Sequence, residues 1–250
     1  MNKQINNKKI IIICIISISI ILIIAGLLGY NLIYLPQKHN NESNDISNQS
    51  RRYQSPTIGS DRQVTIPSAA KPIIYIYPEK TMELNIKLGY PQKITCSYPK
   101  YKDGWNIIAN PDGKLIDLDT NRNLYSLYWE GLNTSSSTIE EGFVVKGSDT
   151  IGFLESKLKI LGLNDYEAEE FMVYWLPKLQ DNEYNLIRFA TKEEIDMNMP
   201  LQFSTQPDSI IRVLMEYKPL NDYIEVPEQK LITPERKGFV VVEWGGSEIK

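Results

Sequence analysis

The hydropathy pattern is most lopsided at the start of the chain. Residues 10–30 are 21 successive positions without a charged side chain, and eleven Ile and three Leu lie between Ile10 and Leu28. At about 1.5 Å per residue a helix of that length spans roughly 31 Å, the thickness of a bilayer's hydrocarbon core. The fourteen Ile and Leu alone favour insertion by about 4–8 kcal/mol. The run has no polar face, so it does not read as a helix lying in the interface. It is longer than the apolar region of a signal peptide, and Ala25-Gly26-Leu27 makes a poor cleavage site. Cys14 follows Ile13 and sits too early in the run for a lipoprotein cysteine. The pattern predicts an uncleaved signal anchor that crosses the bilayer once.

After the anchor the apolar residues thin out. Residues 31–70 are rich in Asn, Ser, Gln and Pro, as in Asn40-Asn41-Glu42-Ser43-Asn44-Asp45. Such a stretch buries too little surface to offset the entropy of ordering it, and it reads as a flexible stalk. From residue 71 onward strand periods begin. Ile73–Tyr77 is a short apolar and aromatic run closed by Pro78, and Met82–Leu88 alternates as a half-buried strand does. Ile94–Tyr98, Trp105–Ala109 and Phe143–Lys146 are further strands. Pro111-Asp112-Gly113 is a turn, and Lys114–Leu118 and Leu124–Trp129 flank a polar turn as a predicted hairpin.

The period then changes. Ile151, Leu154, Leu158 and Leu161 share one helical face, with Asp149 as N-cap and Gly162 as the stop. Asn164-x-x-Glu167 opens a second helix as a capping box; it should bend or end near Pro177. Strands return at Tyr184–Ala190, Ile210–Tyr217 and Phe239–Trp244. The predicted fold is α+β: an N-terminal transmembrane helix, then a mostly antiparallel β ectodomain carrying one αα-hairpin over 149–179. The domains are a cytoplasmic tip (1–9), the membrane helix (10–30), the stalk (31–70) and an extracytoplasmic globular domain (71–250).

Charge orients this arrangement. Lys3, Lys8 and Lys9 precede the membrane run, and Lys38 alone follows closely, which places the N-terminus in the cytoplasm and the C-terminal domain outside the cell membrane. Residues 1–71 carry 8 Lys+Arg and 3 Asp+Glu (+5), leaving 19 and 28 (−9) in residues 72–250. A domain of that sign repels nucleic acid and anionic lipid, so nucleic acid is not among the expected partners.

Composition also removes chemistries. The only His is His39, in the stalk, so the globular domain has no Ser-His-Asp or Cys-His pair and no His-based zinc motif. No phosphate-binding glycine loop occurs, and no cofactor is expected. Cys96 has neither a second Cys nor an imidazole to work with and reads as a small buried hydrophobe. Carboxylates remain. Glu130 in Tyr128-Trp129-Glu130-Gly131 and Glu243 in Val242-Glu243-Trp244-Gly245-Gly246 sit beside aromatics at strand ends; a glycosidase needs a pair of acids about 5–10 Å apart, and a Trp platform suits a sugar ring. Trp105, Trp129 and Trp244 are the candidate binding platforms, with strand-core packing as the plainer alternative. Asp117, Asp119 and Asn121 alternate like the first half of a calcium loop. The position that needs Gly, however, holds Arg122, and the position of the bidentate Glu holds Tyr128. A polar turn explains them equally.

Five segments together resemble a group of uncharacterised bacterial extracytoplasmic proteins, mostly membrane-anchored. They are Lys71-Pro72-Ile73-Ile74-Tyr75-Ile76-Tyr77-Pro78, Gly104-Trp105, Pro111-Asp112-Gly113, Tyr128-Trp129-Glu130-Gly131 and Tyr174-Trp175-Leu176-Pro177. The resemblance covers roughly 71–244 and implies one continuous ectodomain at a bacterial cell surface; it transfers no catalytic role. The function expected is a single-pass membrane protein presenting a non-catalytic interaction domain to wall polymer or a surface protein. The alternative is a carboxylate-dependent hydrolase of wall glycans using Glu130 and Glu243. An immunity or sensor-like accessory is a variant of the first.

Overall fold

The computed structural model describes residues 68–132 and 139–249, with side chains from Lys71 onward. The expected tip, membrane helix and almost all of the stalk lie outside them. Among the described residues no helix is long and apolar enough to cross a membrane.

Among the described residues twelve strands form two sheets. In chain order they are β1 (Ser68–Tyr77), β2 (Met82–Leu88), β3 (Ile94–Tyr98), β4 (Trp105–Ala109), β5 (Leu115–Asp117) and β6 (Arg122–Leu124), then β7 (Leu127–Leu132), β8 (Phe143–Lys146), β9 (Tyr184–Ala190), β10 (Leu201–Phe203), β11 (Ser209–Leu220) and β12 (Val240–Glu248). Three helices accompany them: α1 (Thr150–Ile160), α2 (Asp165–Leu179) and α3 (Lys192–Asn198). The large sheet has the order β3-β7-β1-β12-β11-β9-β8 and the small one β10-β2-β4-β5-β6. The α+β class is as expected. Pairing is antiparallel except for β11 beside β12, which run parallel from Ser209↔Val240 to Tyr217↔Glu248.

Alternation along the central strands builds two cores. Ile73, Tyr75, Val242 and Trp244 point to one face of the large sheet and meet Leu154, Leu158, Phe171 and Trp175 of α1 and α2. Ile74, Ile76, Leu127, Trp129 and Val241 point to the other face and meet Leu84, Ile86, Trp105, Ile107 and Leu115 of the small sheet. A strand buried on both faces reads as a continuous apolar run, which is why Ile73–Tyr77 does not alternate.

Local signals account for the helices. The Asn164 side chain accepts from the Glu167 amide at 2.9 Å, and the Glu167 carboxylate accepts from the Asn164 amide at 2.8 Å, so the capping box forms. At the end of α1, Leu163 N–H reaches Leu158 C=O and Gly162 N–H reaches Lys159 C=O, with Gly162 at φ +87°. This is the Schellman closure, and only Gly takes that φ without strain.

Several expectations are corrected. Asp149 occupies the N-cap position but makes no cap; its carboxylate accepts from the Ser148 hydroxyl instead. Helix α2 ends at Leu179, two residues past Pro177, where the hairpin was expected to close. The stalk boundary moves, because β1 already begins at Ser68. Leu115–Asp117 pairs with Arg122–Leu124, not with 124–129; the chain then crosses at Tyr125-Ser126 into the large sheet as β7. Helix α3, β6 and β10 were not anticipated. Thr191-x-x-Glu194 forms a full capping box for α3 and was legible as one.

Candidate functional site

A cavity of about 450 Å³ opens on the helix-facing side of the large sheet, where β1, β3, β7 and the β6–β7 crossing meet. Its floor is Ile73. Its walls are the rings of Tyr98, Tyr125 and Tyr128, with Lys71, Asn123 and Ser126 as polar groups. Cavities of this size take small ligands. Tyr125 is 59 % exposed and Tyr98 50 %, so two exposed aromatics share one mouth.

The backbone under this cavity is irregular. Between Ala70 and Ile73 the register of β1 slips by one residue against both neighbours, from Ala70↔Gly246 to Ile73↔Trp244 on β12 and from Ala69↔Gly131 to Ile73↔Tyr128 on β7. The slip is a β-bulge formed by Lys71 and Pro72, and Lys71 has φ +56°. Bulges of this kind normally put Gly at the left-handed position. A lysine there is strained, and Pro72, lacking an N–H, is tolerated in a central strand because the bulge needs no ladder bond from it. The bulge aims Lys71 across the sheet: its Nζ lies 4.7 Å from the Tyr174 ring centre and 5.9 Å from that of Trp244. Among the described residues no carboxylate lies within ion-pair distance of it.

Hydroxyls and carboxylates hold the rings in place. Tyr75 donates to Glu170 at 2.5 Å and accepts from Trp244 Nε1 at 3.2 Å. Burial and then the Glu170 carboxylate push the Tyr75 hydroxyl far above its ordinary range. Burial followed by Glu170 raises Tyr125 as well. Tyr128 is raised by burial and then by its hydrogen bond to Glu130, and Tyr174 by burial and then the Glu130 charge. These four phenols stay protonated at any physiological pH. Arg122 donates to the Tyr98 hydroxyl at 3.3 Å.

The two acids singled out from the sequence do not meet. Tyr128 sits opposite Ile73, and Ile73 opposite Trp244, so Tyr128 and Glu130 face the helices. Glu243, one residue before Trp244, faces the other way. It is 4 % exposed and fully engaged: Trp129 Nε1 donates to Oε1 at 2.9 Å, and Arg212 Nε donates to Oε2 at 2.7 Å. Arg212 Nη2 lies 2.5 Å from the same oxygen, an ion pair without hydrogen-bond alignment. Arg212 Nη1 also reaches Asp196 at 2.7 Å. The cavity beside this group is about 30 Å³, room for a water or two and not for a sugar. A hydrolytic pair needs both carboxylates on one site, and Glu130 and Glu243 lie on opposite faces of one sheet.

The tryptophans are core residues. Trp105 is 2 % exposed and donates to Pro99 C=O, Trp244 is fully buried, and Trp129 is tied to Glu243. The glycines after Trp244 serve packing, since a Cβ on Gly246 would lie 2.6 Å from the Trp175 ring. The three residues of the calcium reading have other engagements. Asp117 is 2 % exposed and accepts from Thr120 Oγ1 at 2.5 Å, Asp119 pairs with Lys102 at 2.8 Å, and Asn121 takes the left-handed turn position at φ +56°. No group of three His, Cys, Asp or Glu able to hold a metal occurs among the described residues. Cys96 is exposed, not buried, because β3 is the edge strand of the large sheet and has no fully buried residue. Tyr98, Tyr125 and Lys71 were missed. The one local signal was Pro72 just ahead of the apolar run, where a strand paired on both sides accommodates it at a bulge; it points to Lys71 and not to the two tyrosines.

No protein-family model matches the chain, and no curated protein or solved structure is significantly similar to it.

Proposed function

We propose that the chain is a single-pass membrane protein of a bacterial cell. In this reading residues 10–30 cross the bilayer, the N-terminus is cytoplasmic, and a non-catalytic binding domain outside takes its ligand in the tyrosine-lined cleft. One observation carries the binding reading. A lysine is held in a strained conformation, on a bulge in a strand paired on both sides, and it lines a cavity together with two exposed tyrosines. Strain of about 1 kcal/mol or more persists only where the surrounding structure imposes it, and such positions cluster at functional sites. The charge asymmetry and the resemblance of the five segments support the location, and wall polymer or a surface protein is the partner class. The hydrolase alternative has lost the carboxylate pair on which it rested.

The test uses the full chain in detergent micelles, incubated with purified bacterial cell-wall material and washed. Retention is expected, and Tyr125→Ala, at an exposed position, lowers it. No retention, or retention indifferent to Tyr125, overturns the reading. In intact cells a membrane-impermeant lysine reagent should label residues 72–250; no labelling would overturn the orientation.

A further inference from the structure

Resting on that reading, we infer that the cleft binds an uncharged glycan, one sugar face laid on the tyrosine rings and its hydroxyls bonded to Lys71, Asn123 and Ser126. Three observations converge. The first is the surface offered. Tyr98, Tyr125 and Tyr128 line one cavity as flat rings over an Ile73 floor. A pyranose needs this kind of surface, because one face of it is C–H and apolar. The tyrosine hydroxyls are engaged by Glu130, Glu170, Ser126 and Arg122, so they are not loose donors.

The second is the polar complement. Lys71 offers ammonium donors without a carboxylate partner, Asn123 offers an amide with both donor and acceptor, and Ser126 a hydroxyl. Vicinal sugar hydroxyls, which donate and accept in turn, match such a mixed set. The third is charge. Three cations, Lys71 and Lys178 over the Tyr174 ring and Arg122 at Tyr98, and two carboxylates, Glu130 and Glu170, lie around the rings and nearly cancel. Around them residues 72–250 carry −9. Neither an anionic nor a strongly cationic ligand finds a surplus of opposite charge here, and the long-range field repels polyanions.

A peptide that binds by adding a strand fits the site less well. It would have to pair with the free edge β3, which gives the cleft only Tyr98, whereas the floor lies on β1 and β7, each hydrogen-bonded on both sides.

The experiment titrates the full chain in micelles with neutral oligosaccharides of β-linked N-acetylglucosamine, β-linked glucose and α-linked glucose. An oligogalacturonate and a neutral tetrapeptide serve as comparators, and tyrosine and tryptophan fluorescence is the readout. At least one neutral oligosaccharide should bind. Tyr125→Ala should weaken it by about tenfold or more, as loss of a central aromatic contact does. Lys71→Gly should weaken it without lowering the melting temperature, since Gly relieves the strain at φ +56°. A merely structural lysine would not separate affinity from stability in this way. If wall material is still retained through Tyr125 while no neutral oligosaccharide binds, the glycan assignment is wrong and the binding domain stands. Tighter binding of the oligogalacturonate or the peptide overturns it likewise. If retention does not depend on Tyr125, the underlying reading falls first.

Discussion

Replacing Glu243 by Leu should show that this acid is structural. The substitution strips the nearer partner from Arg212, whose side chain is 1 % exposed, and leaves it only Asp196, itself 36 % exposed. Breaking a buried ion pair from one side costs about 3–5 kcal/mol, and the surviving Asp196 contact argues for the lower end. Trp129 Nε1 also loses its acceptor in the core, for about 1 kcal/mol more. The total is about 4 kcal/mol. With a urea slope of about 2.5 kcal/mol per molar for a unit of this size, the midpoint should fall by about 1.6 M at unchanged slope. Adding Arg212→Met removes the stranded charge, and an apolar pair of similar volume is close to neutral. The double variant should therefore recover about 2–3 kcal/mol relative to Glu243→Leu. Urea unfolding followed by tryptophan fluorescence measures all three. If the double variant were no more stable than Glu243→Leu, the two side chains would not be acting as one buried unit, and the assignment of Glu243 to scaffold would fail.

Two further outcomes follow from the same structure. At Lys71 a β-branched residue suffers more than lysine from the left-handed backbone, so Lys71→Val should lower stability by about 1–2 kcal/mol where Lys71→Gly does not; a thermal melt of both separates backbone strain from loss of the side chain. The hydroxyls of Tyr75, Tyr77, Tyr128 and Tyr217 are all raised, in each case by burial first and then by a neighbouring carboxylate. A phenol whose folded value exceeds its unfolded value of about 10 stabilises the fold fully below that pH and ceases to as pH rises above it. Stability should thus decline above about pH 10, and phenolate absorbance should rise together with loss of structure; ionisation of all these phenols in the still-folded protein would contradict the buried hydrogen bonds.

The placement of the acids shows how a period of two governs chemistry. Glu130 and Glu243 look alike along the chain, each next to a tryptophan and within two residues of a glycine. Strand pairing puts Tyr128, Ile73 and Trp244 in one row, and each acid is then assigned a face by its offset from that row. Glu130 is one residue from Trp129 and two from Tyr128, so it shares Tyr128's face. Glu243 is one residue from Trp244 and takes the other. Opposite faces of one sheet cannot share a substrate, whatever the local sequence suggests.

Local order was readable from the residues themselves. The strands Met82–Leu88, Ile94–Tyr98, Trp105–Ala109, Phe143–Lys146 and Tyr184–Ala190 fall where their patterns put them, and Asn164-x-x-Glu167 caps its helix as written. These depend on contacts within a few residues, which the sequence lists side by side. What pairs with what did not follow. The crossing at Tyr125-Ser126 between sheets, the parallel partnership of β11 and β12, the opposed faces of Glu130 and Glu243, and the burial of Arg212 between Glu243 and Asp196 all join residues tens of positions apart. Such contacts are settled by which apolar faces bury one another and by loop closure, and neither quantity has a local signature. The cleft belongs to this second group: its lysine, its tyrosines and its balancing charges come from β1, β3, β6, β7 and α2, and only folding brings them to one place.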